Sequence, residues 1–265
     1  MAKASEQESD KFFRTLFVGD SGTGKTGALL SLIMAGYDIR MLDFDNGHET
    51  LVQLIKKHCP ERLDQFDYIV LRDKYQSHPT QGIGLLGPAT AYTKGIKFMN
   101  KWDDGSKPAE WGPNTVFVLD TLTSFGRAAF MWAKSLNPNS KDPRQWYGVA
   151  QESLKTFLDL VTSEEFQCHV IISSHLQLIE PENGPTKLQV TSVGKALGGD
   201  IPKVFNNLLY ASKSGTGDNL KRVIETRPNP QLDVKTVAPW LVDKKLPLET
   251  GLATIFEAFL ERTPA

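Results

Sequence analysis

Eight consecutive residues, Gly19-Asp20-Ser21-Gly22-Thr23-Gly24-Lys25-Thr26, meet every fixed position of the pattern G-x-x-x-x-G-K-[ST]. Each residue type has a task in that pattern. Glycines let the backbone curl so that successive N–H groups aim at phosphate oxygens, and a helix that begins here adds the positive end of its dipole. Lys25 is long enough to reach β- and γ-phosphates, and the Thr26 hydroxyl is a magnesium ligand. Asp20, Ser21, Gly22, Thr23, Gly24, Lys25, Thr26 and Gly27 are the predicted nucleotide cradle, with ATP and Mg2+ as the cofactors it calls for.

Such a site needs a second group for the metal, a group to orient the attacking water and a group that senses the γ-phosphate. The apolar run Thr115-Val116-Phe117-Val118-Leu119 ends in Asp120, which is expected to hold magnesium together with Thr26. In Met41-Leu42-Asp43-Phe44-Asp45-Asn46-Gly47, strand alternation puts Asp43 and Asp45 on one face. Asp45, nearer the strand's exit, is the expected water-positioning carboxylate. The competing reading is that these acids only cap the following helix, a position that favours Asp and Asn. His175 follows the apolar Ile171-Ile172-Ser173-Ser174 and is the expected sensor, because ligands gather at strand exits of open α/β sheets. His48, His58, His78 and His169 have no ligand spacing and read as structural or surface residues.

The elements that must position these groups alternate between apolar β-rich runs and helix-period segments. Strands are expected at Phe12–Val18, Ile39–Phe44, Tyr68–Leu71, Thr115–Leu119, Cys168–Ser174, Asn207–Lys213, Lys221–Thr226 and Leu232–Val237. Helices are expected at Gly27–Gly36, His48–Lys57, Thr90–Lys101, Ser124–Leu136, Val149–Thr162 and Leu248–Arg262. Loops fill most of Arg72–Asn114 and of Glu180–Pro202, and Ser214-Gly215-Thr216-Gly217-Asp218-Asn219 is the turn of an antiparallel hairpin. The rhythm predicts an α/β fold, a mainly parallel sheet covered by helices on both faces with that hairpin near the C-terminus. Residues 1–10 read as a flexible polar tail and 11–265 as one domain, with no internal repeat and no convincing linker.

Composition sets limits. With 265 residues, 40% hydrophobic and 23% charged, the chain carries enough apolar material for a sizeable core, which excludes disordered, collagen-like and coiled-coil classes. The start lacks the apolar core of a secretory signal, and no apolar run approaches membrane-helix length, so a cytoplasmic protein with no membrane partner is expected. Cys59 and Cys168 lie too far apart for a paired motif and read as packing residues. A net charge of −1 gives no bulk positive field, so contact with nucleic acid must use local patches.

The order strand, phosphate loop, acidic strand end, Asp120 strand, sensor strand and long loop resembles the RecA-like ATPase core over most of the chain. More narrowly, Gly19–Thr26, Leu42–Gly47, Val116–Phe125, Trp146-Tyr147 and Val170–His175 resemble compact bacteriophage-encoded RecA-type ATPases of recombination and single-strand annealing. The resemblance implies ATP at a subunit interface of a ring or filament, in the host cytoplasm if the chain is phage-encoded. It also implies single-stranded DNA as partner, together with a single-strand-binding protein. Asp45 matches a position usually held by Glu, one CH2 longer, which implies slow or DNA-modulated turnover. Lys235 matches a basic residue that reaches a neighbour's ATP, whereas Val237 stands where a second one is expected. Two loops, about Leu136–Tyr147 and Leu176–Lys203, match the family's DNA-binding loops. The candidate contacts are Arg127, Lys134, Lys141, Arg144 and Trp146, with Tyr147, around the first, and Lys187, Lys195 and Lys203 on the second. Basic residues would meet phosphates and an aromatic ring would stack on a base; solvated surface charge and a core role for Trp146 are the plainer readings. A small-molecule kinase and a nucleotide-switched interaction module with little hydrolysis are the alternatives in function.

Overall fold

The computed structural model describes residues 12–80, 82–180, 185–194 and 196–260. The segment 1–10, Lys195 and the end of the last expected helix beyond Leu260 lie outside them. An eight-stranded sheet forms the middle layer, built from β1 (Arg14–Val18), β2 (Asp38–Asp43), β3 (Phe66–Val70), β6 (Gly112–Asp120), β7 (Cys168–Ser174), β10 (Asn207–Ser214), β11 (Lys221–Glu225) and β12 (Lys245–Pro247). Its order is β12-β11-β10-β1-β7-β6-β2-β3. The six strands from β10 to β3 are parallel, and β11 and β12 add antiparallel to one edge.

Alternation along the buried strands sends side chains to two cores. On β6, Phe117 and Leu119 enter one core with Phe125, Leu154 and Phe157, while Val116 and Val118 enter the other with Phe17, Leu32, Leu51 and Phe256. The first core lies under α4 (Ala91–Asn100), α5 (Leu122–Leu136) and α6 (Arg144–Thr162). The second lies under α1 (Lys25–Ala28), α2 (Leu30–Met34), α3 (His48–His58) and α7 (Leu248–Leu260). Each large apolar side chain removed from water contributes about 1.5–3 kcal/mol. Among the described residues no helix is long and apolar enough to cross a membrane.

Several expectations need correction. The helix predicted at Gly27–Gly36 is divided into α1 and α2 at Leu29, which keeps right-handed helical angles. Arg72–Asn114 contains a hairpin, β4 (Tyr75–His78) with β5 (Gly82–Leu85), whose Gln, Ser, His and Gly residues give little strand signal. The second long loop likewise opens with a hairpin, β8 (Leu176–Ile179) with β9 (Lys187–Val190). No strand forms at Leu232–Val237. Pro228 and Pro230 supply no N–H for a ladder, Asn229 turns back on Leu232, and Lys235 makes only an isolated bridge to Leu208. The edge place is taken by β12. Helix α6 begins five residues earlier than expected, because Pro143 already has helical angles and the Asp142 carboxylate accepts the Arg144 N–H at 3.0 Å. Arg144, Trp146 and Tyr147 are therefore helical rather than loop residues.

Both cysteines are free and buried, and burial pushes the Cys168 thiol up to about 12. His169, also on β7, is fully buried. Its Nδ1 accepts the Phe13 N–H at 2.9 Å, and Phe12, Tyr37 and Phe256 pack around the ring. Burial lowers its pKa to about 4 from 6.5. The unfolded chain takes up the proton first, so the full stability present above about pH 6.5 is lost as pH falls towards 4, by up to about 3 kcal/mol. Urea unfolding across that range should show this loss, and His169→Asn, which keeps an acceptor for the Phe13 amide, should reduce it.

Candidate nucleotide site

Four strands that are neighbours in the sheet, β1, β7, β6 and β2, end on the same side and bring Gly19–Lys25, His175, Asp120 and Asp45 to one edge. At about 4.8 Å per strand the row spans about 14 Å, the scale of a nucleotide's phosphate chain with its metal. A cleft of ≈ 920 Å3 opens there, with Lys25, Thr26, Asp45, Asp120, His175 and Arg222 among its lining residues.

The phosphate loop folds as its glycines require. Gly22 and Gly24 have φ of +77° and +90°, and a Cβ on Gly24 would lie 2.4 Å from Leu248 Cδ2. Lys25 is buried within the loop, where its Nζ donates to the carbonyls of Gly19 (2.7 Å) and Asp20 (3.1 Å). Burial lowers its pKa, opposed by Asp120, Asp20 and Asp45. An incoming phosphate would offer this ammonium a stronger partner than two carbonyls do.

Asp120 is the most deeply placed carboxylate of the cleft, 2% exposed. Its Oδ2 accepts from Thr26 Oγ1 at 2.7 Å and its Oδ1 accepts from Ser173 Oγ. Burial raises its pKa, and Asp43 and Asp45 add to the rise, while the two hydroxyl donors oppose it. A cation between Thr26 and Asp120 would relieve this crowding of carboxylates. The donors are hard oxygens, as magnesium prefers, and they occupy only part of its coordination shell. Gly47 leaves room for it: a Cβ there would lie 2.2 Å from Asp120 Oδ2 and 3.0 Å from Thr26 Oγ1.

The two acids of the second strand have separate places. Asp43 is fully buried and accepts from the N–H groups of Asp45 (2.8 Å), Gly47 (3.2 Å) and His48 (3.0 Å) and pairs with His48 Nδ1. It is the helix-capping acid. Asp45 faces the cleft, where Thr121 Oγ1 donates to its Oδ2 at 2.9 Å and Ser124 Oγ donates to its Oδ1. His175, half-buried in the same cleft, has its pKa lowered by burial and then by Lys25, against Asp45, Asp120 and Asp20. Burial and Lys25 favour its neutral imidazole. Its backbone N–H donates to Thr123 Oγ1 at 3.1 Å, and its carbonyl accepts from Thr191 N and Oγ1.

The candidate DNA residues sit elsewhere. Phe125 packs on Phe157 and Phe130 on Tyr147, so α5 and α6 run antiparallel. Residues 137–143 then lie at the far end of α5, about 22 Å along its axis from its start. Lys134, Lys141, Arg144 and Trp146 gather there, and exposed Arg127 lies midway along α5. Trp146 is half-buried against Phe130, donates Nε1–H to the Asn137 carbonyl at 2.9 Å and lies under Lys134 Nζ at 5.2 Å. It packs the tip of the helix pair. Arg144 pairs with Asp142, Lys187 with Asp233 and Lys203 with Asp200. Lys235 is exposed and is not part of this chain's own cleft. Sequence reasoning missed Ser173, Gly47, the hydroxyls Thr121, Thr123 and Ser124, and the cations Lys213 and Arg222 beside the phosphate loop. The Asp45-Asn46-Gly47 turn was a usable signal for Gly47; the others depend on which strands become neighbours.

Residues 11–237 match the family described as AAA domain, and the chain belongs to that family. It is a P-loop ATPase whose α/β fold is built on an eight-stranded, mostly parallel sheet. Among solved structures it is similar to the RadB recombinase, with 17% identity over 82% of this chain and 84% of that one and a TM-score of 0.45. It is also similar to a KaiC-like protein from Pyrococcus horikoshii (12% identity, 92% and 87% covered, TM-score 0.43). A third similarity is to the flagellar accessory protein FlaH from Methanocaldococcus jannaschii (10%, 88% and 84%, TM-score 0.42). No curated protein matches the chain.

Gly47→Ala should push the Asp45 loop away from Thr26 and Asp120. A displacement of about 1 Å costs about a hundredfold in turnover where groups must align. Steady-state ATP hydrolysis should fall by that order while the thermal unfolding midpoint stays near that of the parent chain.

Proposed function

We propose that this AAA-domain ATPase hydrolyses Mg2+-ATP in the cleft and couples hydrolysis to single-stranded DNA in recombination, annealing or repair. Asp20 to Gly27 would cradle the phosphates and Thr26 and Asp120 would hold magnesium, which would supply positive charge beside the γ-phosphate, while Lys25 neutralises charge that develops during in-line attack. Asp45 orients the water. His175 offers a ring N–H to the γ-phosphate, so it reports whether that phosphate is present. Copies assemble as a ring or filament in the cytoplasm, Lys235 reaches across to a neighbour's nucleotide, and a single-strand-binding protein delivers the DNA.

One observation carries the coupling. Hydroxyls of Thr121, Thr123 and Ser124, at the start of α5, bond to Asp45 and to the backbone of His175. The two groups nearest the γ-phosphate are therefore tied to the helix that bears Arg127 and Lys134. Thr191 ties the carbonyl of His175 to the end of β9, so the second candidate DNA segment is linked to the same residue. This connection supports a reading in which loss of the γ-phosphate shifts the surface that holds DNA. Arg127 and Lys141 are the cations most available for phosphate contact, Lys134, Arg144, Lys187 and Lys203 join them as rearrangement frees them, and Lys195 adds a further charge to the second segment. Exposed Tyr147, beside packed Trp146, is the better stacking surface.

Magnesium-dependent ATP hydrolysis, measured with and without single-stranded DNA at low and moderate salt, tests the reading. Turnover should rise with DNA, and Lys25→Ala and Asp45→Asn should each lower it by at least about a hundredfold. Turnover that ignores DNA, with no DNA binding at low salt where phosphate contacts are strongest, would contradict it.

A further inference from the structure

The C-terminal hairpin sets two cations against the phosphate loop. Lys213 on β10 and Arg222 on β11 are direct cross-strand partners. Like charges in that arrangement repel. Arg222 Nε donates to the Gly22 carbonyl at 3.3 Å and Lys213 Nζ to the Ser21 carbonyl at 3.4 Å, both long for such bonds. Both residues are exposed, and among the described residues neither has a carboxylate within ion-pair distance. Two adjacent, repelling cations held only by long bonds to neutral carbonyls are the electrostatic signature of a place for an anion.

The glycines of the loop make the approach possible. A Cβ on Gly22 would lie 3.5 Å from Lys213 Nζ, and one on Gly24 would lie 3.2 Å from Arg222 Cδ. Arg222 also lines the cleft, beside Leu248. In the sheet, β10 and β11 lie on one side of β1, while β7 and β6, which carry His175 and Asp120, lie on the other. The phosphate loop thus has a metal side and a cationic side.

We infer that Lys213 and Arg222 form a clamp that grips the polyphosphate of the bound nucleotide from the side opposite Asp120 and His175, within the same chain that supplies the phosphate loop. The anion draws the two side chains off the loop carbonyls and relieves their mutual repulsion. A hairpin at the far end of the sequence then takes part in nucleotide binding, and its position answers to whether the cleft is filled. The clamp rests on the nucleotide reading proposed above.

Calorimetric titration with Mg2+-ATP and Mg2+-ADP tests it. Arg222→Ala and Lys213→Ala should each weaken binding about tenfold, the usual size of a lost charge-assisted hydrogen bond. Arg222→Lys should recover most of the loss, and the affinity of the double alanine variant should fall less steeply with salt than that of the parent chain. Because both residues are exposed, the thermal midpoints should be unchanged; a destabilised alanine variant is replaced by Arg222→Gln or Lys213→Gln with the same readings. Variants that bind as the parent does, while Lys25→Ala binds far more weakly, overturn the clamp and leave the nucleotide site standing. A parent chain that binds neither nucleotide overturns both.

Discussion

The hydrogen bond from Thr26 to Asp120 joins the two halves of the cleft. Thr26 belongs to the phosphate loop after β1, and Asp120 ends β6, with β7 between them in the sheet. Ser173 on that intervening strand holds the other oxygen of Asp120. Burying a carboxylate is costly, and the two hydroxyl donors offset only part of that cost until a cation is met. Burial raises its pKa, and a cation bound beside it would favour the ionised carboxylate. The positions of Gly47, Asp45 and the start of α5 are all set by their closeness to this pair.

From that pair the polar connections run outward in a definite direction. Asp45 is bonded to Thr121 and Ser124, His175 to Thr123 and Thr191, and these residues open the helical pair and close the β8–β9 hairpin. On the other side of β1 the link is electrostatic, through Lys213 and Arg222. The sheet holds all of these at one edge because six parallel strands share one direction.

Much of this was legible in the sequence for physical reasons. The phosphate loop is local: its glycines, lysine and threonine act within eight residues. Asp120, Asp45 and His175 follow apolar strands whose parallel packing obliges them to end together. Alternation put Asp43 and Asp45 on one face and the strand's exit favoured Asp45; the three amides gathered on Asp43 separate the capping acid from the one that faces the cleft. The start of α6 was misplaced because Asp142 and Pro143 look like loop residues while acting as a helix start. Leu232–Val237 has strand composition, yet the prolines before it leave only single buried contacts at Leu232 and Val234. Lys213 and Arg222 were invisible as site residues because their nearness to Gly22 depends on β10 pairing with β1, a partnership between segments nearly two hundred residues apart.

The central claim is that a metal-nucleotide complex is held between Thr26 and Asp120. A crystal structure with a non-hydrolysable ATP analogue and Mn2+ tests it most directly, because manganese is located by its anomalous signal. The account predicts a single strong peak beside Thr26 Oγ1 and the Asp120 carboxylate, with the phosphates along Asp20–Gly27 and the Asp45 carboxylate facing the γ-phosphate. A nucleotide bound outside the cleft, or a metal peak remote from Thr26 and Asp120, would contradict it.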